Sequence, residues 1–86
     1  MKLNMTVIKL FYSDEEFIEN LEPGKTNEKA VLELDDVKKT ATLLFVPTAS
    51  MVDRKIAQRQ AQSICRIGYV LKSGVRVAVG YSFQSY

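Results

Sequence analysis

A chain of 86 residues, 47% apolar and 26% charged, has the composition and the room for one folded domain spanning 1–86, and excludes disorder along its whole length. One cysteine and no histidine exclude an internal disulfide, an ordinary zinc centre and Ser-His or Cys-His catalysis. The net charge of +2 conceals a division: residues 1–46 hold six lysines against nine acids, a net of −3, whereas residues 47–86 hold six cations against Asp53 alone, a net of +5.

The run Met5–Tyr12 is β-branched and aromatic, and apolar on both alternations apart from Lys9, as in a strand covered on both faces or paired on both edges. Ser13 and Glu16 stand at capping-box spacing, and Asp14, Glu15 and Glu16 suit a positive helix end. A short first helix is therefore predicted, with Phe17, Ile18 and Leu21 on its apolar face and Pro23-Gly24 as its stop.

Strand alternation returns with Ala30, Leu32 and Leu34. Asp35 to Lys38 then predict a turn, and Lys39–Val46 a return strand that places Ala41, Leu43 and Phe45 on one face. A long helix follows between an N-cap at Ser50, with Asp53 three residues on, and a stop at Gly68. At 100° per residue Ile56, Ala57, Gln60, Ala61, Ile64 and Ile67 gather on one side, facing a sheet with Leu43, Phe45, Val77 and Val79. Lys55, Arg59, Gln62 and Arg66 gather on the other. Tyr69–Lys72 and Val75–Phe83 predict a closing hairpin around Ser73-Gly74, with Val70 opposite Val77 and a core face of Val75, Val77, Val79, Tyr81 and Phe83.

The order β-α-β-β-α-β-β predicts an α+β fold, an antiparallel-rich sheet with one long amphipathic helix and one short helix packed on one side. A ferredoxin-like split βαβ with an extra hairpin strand is the alternative.

For enzymes the chemistry is thin. The carboxylates Asp14, Glu15, Glu16, Glu19 and Glu22 have the spacing of a capped helix start, and a metal-dependent enzyme built on them is the third reading. Cys65 falls at the shoulder of the long helix, as a buried, inert thiol does. No phosphate-binding glycine loop is present, so no catalytic residue, cofactor or metal is expected.

Binding has more support. Lys55, Arg59 and Arg66, with Gln62 between them, form a donor-only ridge about 16 Å long on a segment with no acid after Asp53. A solvated helix face is the bland reading, yet such faces usually intersperse both signs. Tyr69, Lys72 and Arg76 on the closing hairpin are a second candidate surface, an aromatic-plus-arginine face of the kind that stacks single-stranded nucleic acid. Tyr81, Phe83 and Tyr86 form an aromatic tail that either finishes the sheet or adds to a partner.

The expected function is a small non-catalytic accessory subunit, with a protein partner in a nucleic-acid-processing assembly. Direct, weakly sequence-specific nucleic-acid binding through the helix is the alternative. An exposed edge strand serves self-pairing as readily, so a homodimer stands beside these. No apolar run reaches the ~18–20 residues of a membrane span, and Met1-Lys2-Leu3-Asn4 does not open a secretory signal, so a cytoplasmic location is expected.

Overall fold

The computed structural model describes residues 7–19 and 28–85. Along the chain lie β1 (Val7–Ser13), β2 (Glu16–Ile18), β3 (Ala30–Asp35), β4 (Thr40–Phe45), α1 (Met51–Ile67), β5 (Tyr69–Val70), β6 (Arg76–Val77) and β7 (Ser82–Ser85). Five strands form one sheet in the order β2-β1-β3-β4-β7, and β5 and β6 form a separate two-stranded ladder. The sheet is antiparallel except for β4 and β7, which run parallel with Ala41 opposite Phe83. Parallel neighbours need a long crossover, and α1 lies in the connection between them.

The expected alternation builds the core. Leu10 and Tyr12 of β1, Ala30, Leu32 and Leu34 of β3, and Ala41 and Leu43 of β4 are all buried, together with Ala57, Ala61, Ile64 and Cys65 of α1. Small side chains at 57 and 61 let the helix backbone approach the sheet. At the N-terminus of α1 the Ser50 hydroxyl accepts the Asp53 amide at 3.0 Å, and the Asp53 carboxylate accepts the Ser50 amide at 3.3 Å. This completes a reciprocal cap.

The first predicted helix does not form. Asp14 and Glu15 take positive φ values of 55° and 67°, and the chain turns directly back so that Tyr12 faces Phe17 and Phe11 faces Ile18. The rings of Tyr12 and Phe17 lie 5.2 Å apart, and Phe17 is buried. Cross-strand aromatic packing outweighs the capping tendency of the acids, and aspartate tolerates the left-handed conformation better than most residues. The rest of that predicted helix, with Leu21 and Pro23-Gly24, lies outside the described residues. Among the described residues α1 is the single helix. The ferredoxin-like alternative falls with this correction, because β1 is followed by a hairpin instead of a helical crossover and pairs antiparallel with β3.

The closing hairpin is also corrected. Tyr69 pairs with Val77 and Val70 with Arg76, one residue out of the predicted register. The loop takes three residues, 72–74. Gly74, at φ 93°, donates to the Leu71 carbonyl, and Leu71 donates to the Val75 carbonyl, each at 2.8 Å. Beyond Val77 the chain leaves the ladder through Ala78 (φ 75°) and Gly80 (φ 78°), and the Gly80 amide donates to the Cys65 carbonyl at 2.8 Å. A one-residue slip and a turn exchange the faces. Ala78 is buried, Val75 and Val79 are exposed, and Val77, Tyr81 and Phe83 are half-buried. The predicted continuous face of Val75, Val77, Val79, Tyr81 and Phe83 is therefore not assembled. Ile67, predicted on the apolar stripe of α1, is exposed as well.

Tyr12 is 1% exposed, and its hydroxyl finds no hydrogen-bond partner among the described residues. Tyr12→Phe should therefore leave stability unchanged or raise it by up to about 1 kcal/mol, since it removes a desolvated donor with no bond to lose. Urea denaturation checks this; a clear loss of stability would show that the hydroxyl is bonded.

Candidate partner-binding face

Lys55, Arg59, Gln62 and Arg66 lie on the exposed side of α1, opposite the buried Ala57, Ala61 and Ile64. Among the described residues none of the three cations makes an ion pair. The two ion pairs present, Lys9–Glu33 at 3.9 Å and Lys39–Asp36 at 3.2 Å, fall within the first half of the chain. Among the described residues no ion pair joins the acidic half of the chain to the basic one. Asp53, the one acid of α1, is held in the cap. Arg54, on the other flank, is taken up internally: its Nε donates to the Ala49 carbonyl at 3.2 Å and its guanidinium lies 5.0 Å from the Phe45 ring centre.

Two apolar side chains extend the ridge at its N-terminal end. Met51 and Val52 are 68% and 64% exposed. Their signal in the sequence is their azimuth, well away from the Ala57-Ala61-Ile64 stripe and on the side of the cations.

The second surface does not come together as expected. Tyr69 shares a face with Val77, and Arg76 shares the opposite face with Val70. The Tyr69 hydroxyl donates to the Phe17 carbonyl at 3.1 Å, so this ring ties the ladder to β2, and burial pushes its phenol pKa up. Arg76 Nη1 donates to the Ile67 carbonyl at 2.6 Å, at the helix end where a cation is favoured. The Lys72 amide donates to the Glu19 carboxylate at 2.9 Å.

Asp14, Glu15 and Glu16 are exposed on the β1–β2 hairpin, and Glu22 lies outside the described residues. Among the described residues no three acidic or thiol groups converge as a metal site. Cys65 is buried, and burial pushes its thiol pKa up, away from the reactive thiolate.

The aromatic tail is divided. Phe83 packs against the core from β7, and Tyr86 lies outside the described residues. The Tyr81 hydroxyl donates to Asp36 Oδ1 at 2.7 Å, the Lys39 ammonium reaches the same oxygen at 3.2 Å, and it sits 5.8 Å from the Tyr81 ring centre. This contact, unforeseen from sequence because 45 residues separate its partners, latches the β3–β4 turn to the start of β7.

The latch has a pH signature. Burial, aided by the Asp36 bond and charge, pushes the Tyr81 phenol up to about 12. The Tyr81 hydroxyl and then Lys39 hold the Asp36 carboxyl below its ordinary value. A raised phenol stabilises the fold fully below its unfolded value of about 10, and that contribution is lost as pH rises through the folded value. A lowered carboxyl contributes above its unfolded value of about 4 and is lost as pH falls through the folded one. Melting temperature should therefore drop on both sides. Tyr81→Phe should remove its share of the alkaline drop, which thermal unfolding across pH checks.

A shallow, open groove of about 660 Å³ lies between α1 and the segment that leads into β7, lined by Gln62, Cys65, Arg66, Val79, Gly80, Tyr81 and Phe83. No helix among the described residues is long and apolar enough to cross a membrane. No protein-family model, curated protein or solved structure significantly matches the chain.

Proposed function

We propose that the chain is a non-catalytic accessory subunit whose α1 ridge docks on an acidic surface of a partner protein. The observation that carries this reading is the unpaired row Lys55, Arg59 and Arg66, continued by the exposed Met51 and Val52. Apolar side chains at the end of a cationic row favour a protein partner, since a phosphate backbone is held by cations and hydrogen-bond donors and gives Met51 and Val52 nothing apolar to pack on. The row itself also favours a second reading, direct binding of nucleic acid, for which three phosphate contacts give a slope of about −3 in log affinity against log salt on duplex DNA.

Lys55, Arg59 and Arg66 changed together to glutamine should leave melting unchanged, because all three are exposed and make no ion pair among the described residues. Purified at native expression level, the wild-type chain should co-elute with a stoichiometric protein that nuclease treatment does not release. The triple variant should elute alone, and Met51→Ser with Val52→Ser should lose much of the partner. A wild-type chain that purifies alone sinks the subunit reading. Salt-sensitive binding to mixed DNA or RNA that the triple variant loses and the Met51-Val52 variant keeps would establish the second.

A further inference from the structure

We infer that β7 and α1 together form a slot for an extended acidic segment of the partner, which adds to the outer edge of β7 as a sixth strand. This rests on the docking reading above and names the form in which the partner binds. Four observations point to it.

Among the described residues β7 closes one side of the sheet, and on its inner side the Ser82 amide donates to the Lys39 carbonyl at 2.9 Å. Alternation along a strand then turns the peptide groups of Phe83 and Ser85 to the outer edge. The four residues of β7, Ser-Phe-Gln-Ser, contain no lysine, proline or acid, the usual devices that keep a second chain off an edge.

Beside this edge lies the groove under α1. Half-buried Phe83 and exposed Val79 give it an apolar floor, which accepts alternate side chains of an added strand.

The helix supplies the charge. Gln62 and Arg66 line the groove, and Lys55 and Arg59 continue the same exposed side of α1 toward its N-terminus, where they add positive charge to the approach. The far edge of the sheet has the opposite sign, with Asp14, Glu15 and Glu16 on the β1–β2 hairpin. An acidic strand is attracted to the β7 edge and repelled from the β2 edge, which offers only three residues.

The test uses a capped hexapeptide alternating valine with glutamate as probe, read by fluorescence anisotropy and by amide NMR. The peptide should bind, shift the Phe83 and Ser85 amides, and weaken about tenfold when it is N-methylated at alternate residues in one phase but not in the other, since only one phase carries the amides that pair with β7. The lysine-valine counterpart should not bind, and the Lys55-Arg59-Arg66 triple glutamine variant should bind the acidic peptide about tenfold more weakly. Binding that ignores N-methylation, with shifts confined to α1, overturns the added strand and leaves the docking reading in place. No binding of acidic peptide, with nucleic acid bound instead, overturns both. A stable dimer that the peptide does not dissociate would show the edge occupied by a second copy, and also overturns the proposal.

Discussion

Leu43→Ala should lower the free energy of unfolding by about 2–5 kcal/mol, a large share of the roughly 4–13 kcal/mol expected for a domain of this size. Leu43 has no exposed surface, sits opposite Leu32 on β3 and Ser85 on β7, and faces α1. Truncation leaves a void that neither the paired strands nor the helix can close. The adjacent Leu44 points to the other side of the sheet and is 36% exposed. Leu44→Ala should lose less than about 1 kcal/mol, because its side chain keeps contact with water in the folded state. Urea denaturation of the pair checks the assignment of faces: equal losses from two neighbouring leucines would mean that the sheet is covered on both sides.

That alternation was fully legible in the sequence, and for a physical reason. In β3 and β4 Ala30, Leu32, Leu34, Ala41 and Leu43 fall on every second position, so one register buries all five and a one-residue slip exposes them. The long helix was equally legible, since its cap, its apolar stripe and its glycine stop agree on one set of boundaries. What failed was local signal without a tertiary reference. Asp14-Glu15-Glu16 reads as a helix start until Phe17 has Tyr12 to pack on, and that pairing belongs to the hairpin, not to the segment. Ser73-Gly74 reads as a two-residue turn, yet Gly74 at positive φ closes a three-residue loop, and the one-residue difference separates Tyr69 from Arg76.

The candidate face divides in the same way. The ridge of Lys55, Arg59, Gln62 and Arg66 follows from helical periodicity alone, and the structure brings those four together on one exposed side. The groove beside it depends on β7 returning parallel to β4 through turns at Ala78 and Gly80. Gly80 is the one signal of that break in the run Val75–Phe83, whose valines and aromatics otherwise alternate as an unbroken strand would. Lys72 and Arg76 looked equivalent to the helix cations by charge, but Arg76 is spent on the Ile67 carbonyl that the end of α1 leaves open.

Gly68→Ala should destabilise the fold by about 2–4 kcal/mol, the sum of backbone strain and a displaced cap. Gly68 has φ 91° and ψ 174°, a region that essentially only glycine occupies, while its amide donates to the Ile64 carbonyl at 2.7 Å and ends α1. A Cβ at this position would lie 2.6 Å from Val79 Cγ2 and 2.7 Å from Arg76 Cγ. Both neighbours are exposed side chains and give way, at the expense of the Arg76 bond to Ile67. Gly74, at φ 93°, has open space around it, so Gly74→Ala measures the strain of positive φ without the contacts. Gly68→Ala should exceed Gly74→Ala, and adding Arg76→Ala to Gly68→Ala should be less damaging than the two changes summed, because the displaced side chain is then absent. Strict additivity would show that Arg76 yields without loss. The same substitution reaches the proposed slot, for Val79 lines the groove between α1 and β7. The acidic hexapeptide should therefore bind Gly68→Ala more weakly even where the variant is fully folded, and should bind Gly74→Ala like the wild type.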